Sequence, residues 1–201
     1  MATSINAYAF SKNRNIEDLI ISEGVTVIGE EAFENCDSLM RVTLPSSLIE
    51  IKDYAFGGCE NLVEVVNNSK LNIVAGNYDN GYVAYYAQKV LSGNEQKGEV
   101  FTIGNFGFYK NGDEYILYKY IGSSSVTTLT LPSLSEVGHA YKIGRRIVNN
   151  NSCIVKIIIP EGVTSIGSSA FSSCTSLTSV VIPVSVTREM RGILTALRRK
   201  R

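Results

Sequence analysis

The sequence predicts a mostly β, stacked solenoid, because one pattern returns along the chain with a period of 23. This period separates Phe10, Phe33 and Phe56 from one another, and it also separates Val148 from Phe171. A fixed period of roughly 20–29 residues is typical of stacked repeats. The clearest copies read IGEEAFENCDSLMRVTLPSSL and IGSSAFSSCTSLTSVVIPVSV. We call each copy a rung, and we expect two blocks of rungs separated by a β-rich insert.

Apolar side chains recur in each rung at constant distances from the Phe position. The columns lie at −5, +6, +9, +11 and +15, with Asn67 as the one polar residue in the third rung. A single rung cannot bury these side chains, so neighbouring rungs must stack to cover them. Around Phe33, which we therefore expect inside the stack, the columns hold Ile28, Leu39, Val42, Leu44 and Leu48.

The +9 and +11 columns alternate with residues of the opposite face. This period of two predicts a short strand that turns one face inward, as in RVTLP and KIIIP. Pro45, Pro160 and Pro183 end these strands, because proline cannot donate to a further ladder hydrogen bond. We expect the strands of successive rungs to pair in parallel, ~4.8 Å apart.

The +3 column mixes asparagine and cysteine. An Asn there can hydrogen-bond the turn backbone from inside the coil, and a Cys fills the same space as a small apolar group. Cys36 and Cys59 could come within disulfide range, but we expect free buried thiols. No C-x-x-C pair supports a zinc site. The column holds Asn13, Cys36, Cys59, Asn151 and Cys174.

The string I-G-x-x-A-F-x-x-C-x-S-L-x-x-V-x-I/L-P resembles the BspA-like leucine-rich-repeat family. Residues 28–45 and 166–183 match it closely, and 5–21, 51–66 and 143–160 match it less completely. The resemblance implies a curved leucine-rich-repeat solenoid of the kind found in bacterial and protist surface proteins. It also implies adhesion to host proteins or other cells, without catalytic residues to carry over.

The period divides the chain into four parts. Residues 1–74 form the first repeat block, 75–137 a non-repeat insert, 138–187 the second block and 188–201 a basic tail. The tail carries six basic residues and one acid, so the rest of the chain has a net charge of −5. A helical cap, a disordered tail and an artefact of truncation all remain open for it.

The insert contains three recognisable segments and no further rungs, because its Phe columns are empty. Residues 81–93 fit either a helix or a strand. Residues 106–122 predict a β-hairpin, with the turn at Asn111 and Gly112 because both tolerate positive φ. Residues 126–132, VTTLTLP, resemble a rung strand again.

Catalysis has little support in the sequence, and we expect no enzyme, cofactor, metal or small-molecule substrate. His139 is the one histidine and reads as a loop residue. The rival hypothesis is a hydrolase in the insert built from Asp113, Glu114, Tyr115 and Tyr118, but these residues flank a turn, where exposure is ordinary. Nucleic-acid binding depends on the basic tail alone, and we expect a solvated end there.

The strongest functional signal is the outward face of the strand ladder. A row of exposed aliphatic side chains beside mixed charges suits protein binding; plain β-propensity explains the same residues without function. The candidate face is Asp18, Ile20, Arg41, Thr43, Glu64, Val66, Lys156, Ile158, Ser179 and Val181.

We therefore expect a protein-binding module that acts in adhesion or cell-surface interaction. The suspected partner is an extracellular-matrix or cell-surface protein, although the chain shows no signal peptide, anchor or membrane span. We expect a piece of a longer surface protein. The alternative is an intracellular repeat scaffold for protein–protein interaction.

Overall fold

The computed structural model describes residues 3–148, 151–172 and 174–187, in two compact units, Met1–Lys97 and Gly98–Arg201. The strands of unit 1 are β1 (Thr3–Ile5), β2 (Asp18–Ile20), β3 (Val25–Ile28), β4 (Arg41–Leu44), β5 (Glu50–Ile51), β6 (Glu64–Asn67) and β7 (Lys89–Ser92). The elements of unit 2 are β8 (Glu99–Ile103), β9 (Phe106–Asn111), β10 (Glu114–Tyr120), β11 (Thr128–Thr130), α1 (Leu134–Val137), β12 (Tyr141–Ile143), β13 (Lys156–Ile158), β14 (Val163–Ile166) and β15 (Ser179–Val181).

Unit 1 is a stack of rungs with a parallel ladder on each side. We call β2-β4-β6-β7 its front ladder and β1-β3-β5 its back ladder. In the front ladder, Leu19 pairs with Val42 and Val42 with Val65, so the +9 column lines up rung upon rung. The predicted mostly β solenoid of stacked rungs is confirmed.

The core of unit 1 lies between its two ladders. The ring of Phe33 is buried between those of Phe10 and Phe56, with 5.2 Å between ring centroids on each side. Ile28 and Val42, from the −5 and +9 columns, lie in the same core. The predicted inward position of the Phe column in the second rung is therefore confirmed.

The asparagine side chains of the +3 column accept hydrogen bonds from backbone N–H groups. The Oδ1 atom of Asn13 accepts the backbone N–H groups of Asn15 and Ile16, at 2.9 and 3.2 Å. The buried Asn151 accepts those of Cys153 and Ile154, at 3.0 and 3.1 Å.

The cysteines of this column are free buried thiols, as expected, and Cys153 is free and exposed. The Cys36 Sγ donates to the Phe10 carbonyl at 3.3 Å, and the Cys59 Sγ donates to the Phe33 carbonyl at 3.1 Å. Each of these thiols thus ties its rung to the Phe column of the preceding rung.

Strand β7 corrects the expectation that residues 75–137 contain no further rung. It extends the front ladder, with Val65 paired to Val90 and Val66 to Leu91. Residues 81–93 are therefore not a helix, since turns lead into a strand at Lys89–Ser92. The step from Val65 to Val90 is longer by two than the period of 23, so a search at fixed period leaves these columns empty.

Unit 2 also has two sheets. Its front ladder is β11-β13-β15, with Leu129 paired to Ile157 and Ile157 to Val180, which confirms the predicted rung strand in 126–132. Its other sheet has the order β14-β12-β10-β9-β8. Most of the middle segment therefore belongs to unit 2, and the boundaries at 74 and 137 remain a division of the sequence only.

The predicted hairpin is present, but its turn lies one residue later than expected. Strands β9 and β10 are antiparallel, and Asn111 pairs with Glu114, which leaves Gly112 and Asp113 as the two central residues. Gly112 has φ 58°. Asn111 remains in the strand, so only the glycine supplies the positive φ that a two-residue hairpin turn requires.

Candidate interaction surface

The outward face of the front ladder in unit 1 follows the predicted register. Asp18 pairs with Arg41 and Ile20 with Thr43, as adjacent strands of a parallel ladder require. The side chain of Ile20 is 67% exposed. Thr43 is half-buried, and its Oγ1 has no hydrogen-bond partner in the described part of the chain.

Two residues expected on this exposed face are buried instead. Val66 is 4% exposed, and Glu64 is fully buried. Within unit 1, β7 continues the ladder, so Val66 lies between Thr43 and Leu91 in the strand register rather than at the end of the stack. These two residues are therefore removed from the candidate face.

The charges expected to rim this face are engaged with one another. The Arg41 Nε donates to Glu64, and Arg41 Nη1 donates to Asp18 at 3.2 Å. Burial of Arg41 acts to lower the pKa of its guanidinium, but hydrogen bonds and charge attraction from Glu64 and Asp18 outweigh burial and raise that pKa. In unit 1 these side chains form an ion-pair row along the ladder.

The front ladder of unit 2 keeps its outward side chains accessible. Lys156 pairs with Ser179, and Ile158 with Val181, while Thr128 and Thr130 precede them in β11. Ile158 is half-buried and the other five side chains are exposed. We call this surface the unit 2 face: Thr128, Thr130, Lys156, Ile158, Ser179 and Val181.

The structure does not assemble the rival hydrolase residues into a reactive group. The Lys142 Nζ donates to Glu114 at 2.6 Å, so a cation holds this carboxylate. The ring of Tyr115 stacks on His139 with 4.4 Å between centroids, and burial raises the pKa of the Tyr118 hydroxyl. His139 lies between α1 and β12, in a connection as predicted. The absence of enzymatic activity stays a prediction.

The described residues offer neither a metal site nor a membrane-spanning helix. Among them, no three His, Cys, Asp or Glu side chains converge closely enough to hold a metal ion. No helix in the described ranges has the length and apolar character needed to span a membrane. The basic tail, residues 188–201, lies outside the described residues, so the hypothesis of nucleic-acid binding through it remains a prediction.

One surface feature was not identified from the sequence. Five tyrosine side chains in unit 1 contact one another, ring to ring, without entering the core. The local string YVAYY signals only aromatic content, because the ring contacts depend on how the turns fold. These residues are Tyr54, Tyr78, Tyr82, Tyr85 and Tyr86.

Comparison with known proteins relates the chain to repeat proteins. A family model described as a BspA type leucine rich repeat region matches residues 3–113 and 114–191, in six copies. No curated protein matches the chain.

Solved structures of leucine-rich-repeat proteins also match. A leucine rich cell surface protein from Faecalibacterium prausnitzii is 18% identical over 90% of this chain and 45% of its own, with a TM-score of 0.43. The pneumococcal vaccine antigen PcpA is 18% identical over 91% and 49%, with a TM-score of 0.41. A leucine-rich repeat protein from Bacteroides ovatus is 23% identical over 91% and 47%, with a TM-score of 0.36. The chain spans about half the length of these proteins.

Proposed function

Because this chain belongs to the BspA-type leucine-rich-repeat family, we propose that it is a non-catalytic protein-binding module whose contact surface is the unit 2 face. The proposal rests on one observation: the outward side chains of this face lie next to one another in the ladder and remain accessible to solvent. Ile158 and Val181 lie side by side in the ladder register, with Lys156 and Ser179 beside them. An apolar pair with polar and charged neighbours fits the arrangement of protein-binding surfaces, in which a few central residues supply most of the energy.

The repeat architecture favours such a surface. Strands of a solenoid present their outward residues in rows, so contacts from successive rungs add along one extended face. Across β11, β13 and β15 the rows are Thr128, Lys156 and Ser179, and beside them Thr130, Ile158 and Val181.

The setting that we propose is adhesion or contact between cell surfaces, with an extracellular-matrix or cell-surface protein as partner. Family membership supports this setting, because BspA-like repeats are found in bacterial and protist surface proteins and are associated with adhesion. Ile20, exposed beside Asp18 on the first strand of the front ladder in unit 1, is a separate apolar position of the same kind.

The test is binding of the whole chain to a panel of purified extracellular-matrix and cell-surface proteins. Any protein that the parent chain binds is then measured with Ile158→Glu and Val181→Glu combined. Two charges placed in the apolar centre should weaken binding by more than ~2 kcal/mol, as for truncation of central interface residues.

Val184→Glu is the matched control, because Val184 is almost fully exposed in the turn after Pro183 and outside the ladder strands. The control should bind as the parent does. If the paired change and the control bind equally well, the unit 2 face is not the contact surface. If the parent binds no member of a broad panel, the adhesion setting fails.

A further inference from the structure

The tyrosine cluster in unit 1 is an organised aromatic surface on a different part of the solenoid. Tyr54 and Tyr82 stack with 5.0 Å between ring centroids and a 16° angle. Tyr78 and Tyr85 also contact Tyr82, and Tyr86 contacts Tyr85. Tyr54 is 51% exposed and Tyr78 64%. Aromatic rings that contact each other yet remain accessible form a ready binding surface.

The local backbone supports the position of the Tyr54 ring. Tyr54 has φ 52° and Tyr82 has φ 66°, in the left-handed region that bulky residues rarely occupy. A side-chain carbon at Gly57 would lie 3.3 Å from the Cβ and Cδ1 of Tyr54, so the glycine leaves space for the ring. The ring is thus placed before any ligand arrives.

A group of glutamates lies in the rung before Tyr54, and their charges act on Tyr8, which is one rung earlier still in the same column. The Glu31 N–H donates to the Asp53 carbonyl at 3.1 Å, which places Glu31 one rung before Tyr54 in the same column, on the side away from Tyr82. Partial burial, and then the charges of Glu34 and Glu30, raise the pKa of Glu31, while the charge of Lys12 acts to lower it. Within the described ranges, none of these three glutamates forms an ion pair with a Lys or Arg side chain.

We propose that this surface binds an arginine-bearing peptide segment of a partner protein, with a guanidinium on the open face of Tyr54 and against Glu31 and Glu34. A guanidinium is planar and stacks on aromatic rings, and it pairs with carboxylates through two N–H groups. A lysine ammonium matches the charge of the site but not the flat ring. The site lies wholly within unit 1, so it does not depend on the unit 2 face.

The experiment is calorimetric titration of the whole chain with an acetylated, amidated hexa-arginine peptide, and separately with hexa-lysine of the same length. The variants are Tyr54→Leu and the pair Glu31→Gln with Glu34→Gln. Tyr115→Leu is the matched control, since Tyr115 is a partly exposed, stacked tyrosine in unit 2. Circular dichroism and the melting temperature confirm folding. If Tyr54→Leu does not fold, the double Gln variant and the comparison of the two peptides decide the test.

The parent should bind hexa-arginine about threefold or more tightly than hexa-lysine. Tyr54→Leu and the double Gln variant should each lose about fivefold in hexa-arginine affinity, and Tyr115→Leu should match the parent. Equal affinity of Tyr54→Leu and the parent overturns the proposal, even if the double Gln variant binds weakly. Equal binding of the two peptides by the parent also overturns it.

Discussion

Phe33 illustrates how a single side chain depends on the neighbouring rungs. Its ring lies between Phe10 and Phe56, at 5.2 Å from each, and the interplanar angles are 5° and 13°. One rung could not bury this ring, because both covering surfaces come from other copies of the repeat. The fixed period of 23 therefore has a direct physical meaning at this position.

Phe33→Ala should lower the free energy of unfolding by ~3–5 kcal/mol, because the stack cannot close over the cavity that is left. Phe10→Ala is the comparison, since among the described residues Phe10 stacks only on Phe33 and is partly exposed; it should cost ~1–2 kcal/mol. Urea titrations of the whole chain measure both. A loss below about 1 kcal/mol for Phe33→Ala would contradict its place in the core.

The +3 column shows that two residue types can occupy one place for different reasons. Asn13 and Asn151 accept hydrogen bonds from the turn that follows them. Cys36 and Cys59 donate to a carbonyl one rung earlier. The sequence predicted the shared position and the role of Asn, but a thiol donor to the preceding rung becomes visible only when the rungs are stacked.

Stability at alkaline pH should depend on Cys174. Burial raises the pKa of this thiol from near 9 to about 11. The folded chain thus favours the neutral thiol, so the stability it contributes is complete below pH 9 and lost as pH rises to about 11. Urea unfolding of the parent should lose ~2–3 kcal/mol over this window beyond the loss of Cys174→Ala. If the free energy of unfolding changes with pH in the same way in both proteins, the thiol of Cys174 does not have the raised pKa.

At the scale of the element, the hairpin shows a sequence signal that was correct in kind but displaced by one residue. Asn-Gly predicts a tight turn, yet Asn111 pairs with Glu114 and the central residues are Gly112 and Asp113. Only the register of the two strands decides which residues remain in the ladder. A local dipeptide pattern does not contain that information.

Gly112→Ala should destabilise the chain by ~1–2 kcal/mol, because Gly112 has φ 58° and alanine is strained there. No atom lies within 4 Å of the carbon that would be added, so the loss reports backbone conformation alone. Asp113→Ala is the control and should cost less than ~0.5 kcal/mol, as exposed surface changes do. Thermal unfolding of both variants measures the difference. Equal losses would show that the positive φ is not what holds the turn.

The front ladder of unit 1 shows the limit of reading a face from alternation. Period two indicates that Glu64 and Val66 point away from the core, and Val66 does not belong to the main hydrophobic cluster of unit 1. Alternation cannot say whether the outward side is then covered, and both side chains are buried. The same reasoning predicted an accessible face in unit 2, where Lys156, Ser179 and Val181 are exposed.

Across the whole molecule, the regular period was sufficient to predict the architecture but not every rung. Copies that keep this period were found directly, and the family model matches the chain in six copies. Strand β7 was missed because the step from Val65 to Val90 is longer than the period, and the residues before β7 approach the ladder through irregular turns. Extra residues in a turn cost a solenoid little, since only the strand register must be restored.

Photo-crosslinking to a bound partner tests most directly whether the unit 2 face is the contact surface. A photoreactive group is attached to cysteine introduced by Ser179→Cys, and in a second protein by Thr175→Cys, with the exposed Cys153 changed to Ser in both. Ser179 lies on the ladder face, whereas Thr175 is exposed in the turn before β15. We predict a crosslink to the partner from position 179 and little or none from 175. A crosslink from 175 alone, or none from 179 while the labelled chain still binds its partner, would contradict it.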